Sequence, residues 1–284
     1  MRFTIPKVGV ADNEGRRLNS TWTRREVLLG ASAVATATGI GAQEVGGTTI
    51  AEDGVLELRQ YTLHGGQRDT LISLFEQHFI EPQNALGAHV IGTFRDLDDP
   101  DRFVWLRGFQ DMPTRQKSLE AFYGGPVWQA HRQAANATMV DSDNVLLLRP
   151  ASAGAGFAPM LGTAGHSQHV IAARIYYLDA VNPGQFAAFF AVSMLPRVAE
   201  LGARPIGQFI TESAANNFRL PIREHDHVFV WFARWDTTKD EEDFSTRWSQ
   251  VSGWRDEAPA AMLPALMRKP ERLRLAPTVR SELR

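Results

Sequence analysis

A chain of 284 residues, 44% hydrophobic and 22% charged, is long enough for two globular domains that each bury a core. Its formal net charge of −2 supplies no basic footprint for nucleic acid. Cysteine is absent, which excludes disulfides, thiolate metal sites and a cysteine nucleophile.

The first 42 residues stand apart. Arg2, Lys7, Arg16, Arg17, Arg24 and Arg25 outnumber Asp12, Glu14 and Glu26, and the stretch from Val27 to Ile40 is uncharged and rich in small residues. Thr23-Arg24-Arg25-Glu26-Val27-Leu28-Leu29 resembles a twin-arginine export signal, with small-residue cleavage positions at Ala35-Thr36-Ala37 or Ala42. The expectation is a protein exported to the periplasm, with residues 43–54 as a linker and a mature charge of −5. The competing reading is a disordered basic leader, or a mis-assigned start codon, in which case the protein stays in the cytoplasm. The apolar run is shorter than the roughly 20 residues of a spanning helix, and no later segment is apolar enough to cross a membrane.

After the leader the pattern becomes regular. Glu57 to Leu63 alternates and ends at His64-Gly65-Gly66, a strand followed by a turn. Asp69 to Ala85 carries Leu71, Leu74, Phe75, Phe79 and Ile80 near helical spacing. His89–Arg95 and Arg102–Phe109 read as strands around the turn Asp96-Leu97-Asp98-Asp99-Pro100-Asp101. Met112-Pro113-Thr114 opens a helical stretch that breaks at Gly124-Gly125-Pro126 and resumes to Val140, before a strand at Asn144–Arg149. The same order then recurs. Strand Val170–Leu178, a helix from Asn182-Pro183 to Leu201 and strand Pro205–Glu212 precede a polar loop around Asn216–Glu224. Strand Asp226–Trp235, helical stretches over Lys239–Met267 and strand Arg272–Ala276 complete it.

The halves match residue by residue. Arg59-Gln60-Tyr61 corresponds to Arg174-Ile175-Tyr176, and Ile91-Gly92-Thr93-Phe94 to Ile206-Gly207-Gln208-Phe209, both at a shift of 115. Phe103-Val104-Trp105 corresponds to Phe229-Val230-Trp231 at a shift of 126, which puts 11 extra residues into the loop between the second and third strands. This predicts an α+β chain of two tandem ferredoxin-like βαββαβ units, residues 55–150 and 169–284, joined by an Ala/Gly-rich linker at 151–168. Their antiparallel sheets must cover each other's second face, as a dimeric-type α/β barrel does.

Four runs carry a family resemblance: Glu57-Leu58-Arg59-Gln60-Tyr61, Ile91-Gly92-Thr93-Phe94-Arg95-Asp96, Arg102-Phe103-Val104-Trp105-Leu106 and Phe122-Tyr123-Gly124-Gly125-Pro126-Val127-Trp128. They resemble bacterial NIPSNAP-domain proteins, closely over Glu57–Arg149 and more distantly, through the repeat, over Val170–Ala276. The resemblance implies the dimeric α/β-barrel fold, which small cofactor-independent monooxygenases and binding proteins also use. It implies no cofactor and brings no catalytic motif, so no catalytic residue is assigned.

Strand alternation supplies the candidate pocket. Arg59 and Tyr61 share a face, as do Arg174 and Tyr176, and an unpaired Arg is costly to bury beneath helices. Arg59, Tyr61, Trp105, Arg107, Arg174, Tyr176 and Trp231 are therefore expected to converge between the two sheets, with Phe103, Phe229, Thr93 and Arg95 near them. They would form either a ligand pocket or a filled core. His225-Asp226-His227 and the Asp96–Asp101 cluster read as a surface hairpin and a turn, so no metal site is assigned. His78 and His131 read as helix-face residues for packing or, alternatively, acid–base work. Three functions follow: binding of a small polar or anionic organic molecule or a partner; a monooxygenase-like reaction on an aromatic substrate; a structural or assembly role. The two units would form a pseudo-dimer within one chain, open to further self-association.

Overall fold

The computed structural model describes residues 54–157 and 169–284. The expected export leader and the linker residues 158–168, His166 among them, lie outside the described residues. The first half runs β1 (Val55–Leu63), α1 (Arg68–His78), α2 (Ile80–Ala85), β2 (His89–Asp96), β3 (Arg102–Phe109), α3 (Met112–Gly124), α4 (Pro126–Thr138) and β4 (Met139–Pro150). The second runs β5 (Val170–Tyr177), α5 (Pro183–Phe189), α6 (Leu195–Glu200), β6 (Pro205–Thr211), β7 (Val228–Trp235), α7 (Thr238–Gln250), α8 (Gly253–Asp256), α9 (Leu263–Met267) and β8 (Glu271–Pro277).

Local chemistry sets these boundaries. The Asp111 carboxylate accepts from the Thr114 N–H at 2.7 Å and Pro113 sits in the first turn, which starts α3. Thr237 caps α7 in the same way, accepting from the Asp240 N–H. Gly87 and Gly202 follow α2 and α6 with φ of +83° and +89°, a left-handed turn that costs glycine nothing. The helix expected to run unbroken to Leu201 does not. It widens into a π turn at Phe190–Met194 before α6. Pro196 has no N–H to donate and its ring crowds the carbonyl of Val192, so the regular ladder cannot continue there.

The strands close into one antiparallel barrel in the order β1-β3-β2-β8-β5-β7-β6-β4. It consists of two four-stranded sheets stitched at two short seams. β2 meets β8 from Phe94–Pro277 to Asp96–Leu275, and β4 meets β6 from Leu148–Thr211 to Pro150–Phe209. Both sheets come from one chain, so the tandem repeat builds the barrel alone and leaves no free sheet edge.

The barrel interior is apolar, mostly aliphatic with Phe94, Phe157, Phe209 and Phe232 among the side chains. Leu56, Leu58 and Leu106 of one sheet pack against Ile171, Ile175 and Leu273 of the other. Two register shifts, at Gly92 and Gly207, bend β2 and β6. A Cβ at Gly92 would lie 2.4 Å from the Phe94 ring, and one at Gly207 would lie 2.8 Å from Phe209. The helices cover the outer faces, each over its own core: Phe75, Phe79 and Phe122 above the first sheet, Phe186, Phe190 and Phe244 above the second. No helix among the described residues is long and apolar enough to cross a membrane.

Candidate functional site

In β1, Leu56 and Leu58 point into the barrel, so Glu57, Arg59 and Tyr61 point the other way, under the helices. The β1–β3 ladder sets Glu57 opposite Arg107, Arg59 opposite Trp105 and Tyr61 opposite Phe103. Glu57 is fully buried, and its carboxylate is shared by three guanidinium groups. Oε2 accepts from Arg59 Nη1 at 2.8 Å and from Arg107 Nη2 at 2.5 Å; Oε1 accepts from Arg115 Nε, on α3, at 2.7 Å. Arg59 Nε donates to the Tyr61 hydroxyl at 3.0 Å, and Arg107 Nη1 to Gln83 Oε1, on α2, at 2.7 Å. Trp105 lies between Arg59 and Arg107, whose guanidinium carbons stand 5.4 and 4.9 Å from its ring centre.

Burial pushes the Glu57 carboxyl up, but Arg107, Arg59 and Arg115 outweigh it and hold the group well below the usual carboxylate range. Burial lowers the Arg115 guanidinium, with Glu57 opposing. Burial raises the Tyr61 phenol, whose oxygen accepts from Arg59. The layer therefore holds three guanidinium groups and one carboxylate. Two donors in it have no partner among the described residues: Arg115 Nη2 and Trp105 Nε1.

The seven candidate residues do not converge between the sheets. Arg59, Tyr61, Trp105 and Arg107 form this first cluster. Arg174, Tyr176 and Trp231 form a second beneath the helices of the other half, half-way round the barrel. The space between the sheets goes to aliphatic and phenylalanine side chains instead. The expectation failed because these arginines are not unpaired: Glu57, two residues from Arg59 on the same face, compensates the first cluster. Glu241 of α7 accepts from Arg174 Nη2 at 2.9 Å in the second. Thr93 and Arg95 join neither cluster. Thr93 bonds Thr278 near the C-terminus and Arg95 bonds exposed Asp69.

Glu57, Arg115, Gln83 and Glu241 were missed from the sequence. Period-two spacing from Arg59 pointed to Glu57. The other three sit on helices, where contact depends on packing and not on strand spacing. The His225-Asp226-His227 run lies on an exposed loop, and no group of three metal-ligating side chains occurs among the described residues. His78 and His131 stack with ring centres 3.8 Å apart. A cleft of about 770 Å³ opens elsewhere, at the start of β6 and α7. It contains none of the candidate residues, and it is lined by Arg204, Arg234 and Arg247 together with Asp236, Asp240 and Asp243.

Residues 56–154 match the NIPSNAP family model. No curated protein matches the chain in sequence. Among solved structures, a candidate monooxygenase from Fusobacterium nucleatum superposes with a TM-score of 0.51 at 7% identity, over 81% of this chain and 94% of its own. One from Lactobacillus acidophilus gives 0.46 at 11% identity, over 79% and 94%. A NIPSNAP-like domain protein from Burkholderia xenovorans gives 0.33 at 22% identity, over 39% of this chain and 93% of its own. Residues 56–154 are thus a NIPSNAP domain, set in a single-chain barrel of the dimeric α/β type.

Proposed function

We propose that the first half of the barrel binds a small anionic organic molecule against its guanidinium cluster. One observation carries this reading: among the described residues, Glu57 is the only carboxylate that Arg59, Arg107 and Arg115 share, and all four side chains are buried. An excess of buried positive charge costs on the order of several kcal/mol per ion unless an anion repays it. Asp143, at the exposed start of β4, feels Arg59 and screens it only in part. The unpartnered Arg115 Nη2 and Trp105 Nε1 supply donors, and the rings of Tyr61, Phe75 and Trp105, packed edge to face, supply an apolar aromatic surround. Such a layer favours a planar acid over a neutral molecule of the same shape.

Calorimetric titration of the full chain with 2-naphthoate, benzoate and neutral 2-naphthalenemethanol tests this. Both acids should bind, and the alcohol should bind at least about tenfold more weakly than 2-naphthoate. Arg107→Met should lose the acids yet melt no lower than the native protein, because it removes surplus buried charge. Arg174→Met should leave the acids bound. Equal binding of 2-naphthoate and the alcohol, or no binding of either acid, would sink the proposal. Oxygen uptake during the same titration would show that binding leads to an oxygenase reaction.

A further inference from the structure

The two helix–sheet layers are built alike and finished differently. α3 and α7 are related by the same shift of 126 that relates Trp105 to Trp231, so Arg115 corresponds to Glu241. Glu57 and Arg107, paired across β1 and β3, correspond to Ala172 and Ala233, paired across β5 and β7. The second layer thus keeps Arg174 and gains an acid on its helix. Arg174 Nη2 bonds Glu241 Oε1 at 2.9 Å and Ser245 Oγ at 2.5 Å, so the two buried charges of that layer balance; the half-exposed Arg272 lies 3.7 Å from Glu241 Oε2, and Arg174 Nη1 and Trp231 Nε1 have no partner among the described residues.

The loops differ as well. Residues 97–101 make the tight turn between β2 and β3, whereas 212–227 connect β6 to β7. The long loop leaves its own half and crosses the β4–β6 seam. The Arg223 N–H donates to the Val145 carbonyl at 2.9 Å, and Leu220 and Ile222 pack against the core above the first sheet. At its tip, Asn216 Oδ1 and Asn217 Oδ1 accept from Arg115 Nη1 at 3.1 and 2.7 Å. Each carboxamide also anchors the loop through its NH₂, Asn217 on the Met112 carbonyl and Asn216 on that of Leu220. Phe218 stacks on Tyr123, ring centres 5.7 Å apart, and Tyr123 lies close enough to Arg59 to feel its charge.

These carboxamides satisfy one nitrogen of Arg115 without neutralising it, and Nη2 stays unpartnered. A loop that served stability alone would gain by placing a carboxylate there. We propose that loop 212–227 completes the anion site of the first half, that Asn217 and Phe218 determine which ligand it admits, and that the chain carries one such site. This rests on the site proposed above. Phe218 walls the layer, and Asn217 holds Arg115 while leaving its charge for the ligand.

The test is calorimetry on the full chain with 2-naphthoate and benzoate. Native protein should bind one 2-naphthoate per chain; two would overturn the single-site assignment. Phe218→Ala should weaken 2-naphthoate about tenfold, the scale of one lost aromatic contact, and benzoate much less. Asn217→Asp, which keeps the side chain's shape, should weaken both acids about tenfold by placing a like charge beside them. If both variants bind as native protein does while Arg107→Met has lost binding, the site stands and the role of the loop is overturned. If native protein binds neither acid, both proposals fall.

Discussion

Glu57 holds three guanidinium groups with two oxygens, so its removal leaves more uncompensated charge than the loss of any one arginine. Glu57→Gln should lower stability by about 3–5 kcal/mol, the range for breaking a buried ion pair on one side. Denaturant unfolding at neutral pH checks this; a loss below about 1 kcal/mol would mean that water reaches the layer. The sign of the pH dependence follows from the depressed carboxyl. Its contribution is complete above the ordinary carboxylate range and is lost as pH falls toward the folded-state value. Between roughly pH 5 and pH 2, native protein should therefore lose stability more steeply than Glu57→Gln. The sequence showed that Arg59 and Tyr61 share a face but not which face is inside. Leu56 and Leu58 form one apolar row, Tyr61 with Phe103 and Trp105 another, and either row could line a core. An arginine on a strand is costly to bury beneath helices only while it lacks a partner, and strand spacing does not show most of these partners. Glu57 is visible in the strand, but Arg115 lies 58 residues away on a helix and Asn217 in the other half.

Strand and helix order was legible because turn chemistry punctuates it: Asp111 and Pro113 before α3, Gly125 and Pro126 before α4, Asn182 and Pro183 before α5. The π turn was not, since apolar spacing from Phe186 to Val198 reads the same whether or not Pro196 distorts the backbone. The bulged strands carry the clearest consequence of the repeat. Gly92 and Gly207 occupy equivalent places in β2 and β6, and each passes against a phenylalanine two residues on, Phe94 and Phe209, both fully buried. Those rings fill the barrel interior beside Leu283 and Phe157, so they have little room to turn aside. Alanine at either position should cost about 1–3 kcal/mol by overpacking. Thermal melts of Gly92→Ala and Gly207→Ala measure it, and an unchanged melting temperature in either would show that the ring relocates freely.

At the scale of the whole molecule, the repeat makes each half the cover of the other. The inner face of the first sheet presents Leu56, Leu58, Val104, Leu106, Leu146 and Leu148, all buried only because the second sheet lies over them. Residues 54–150 expressed alone would expose that apolar face and the free edges of β2 and β4. They should self-associate, and sedimentation at micromolar concentration reads this directly. A monodisperse, cooperatively folding monomer would show that the barrel is not needed to stabilise the half. Residues 169–284 added in equal amount should convert the self-associated species into a one-to-one complex. Two copies of the first half can cover the aliphatic faces and join the edges, but they lack loop 212–227, so Arg115 would lose Asn216 and Asn217 and Tyr123 would lose Phe218. The mixed pair restores those contacts and should prevail. Persistence of the first-half homodimer in the mixture would mean that the seams and aliphatic core, common to both arrangements, dominate the association and that the long loop adds little to it.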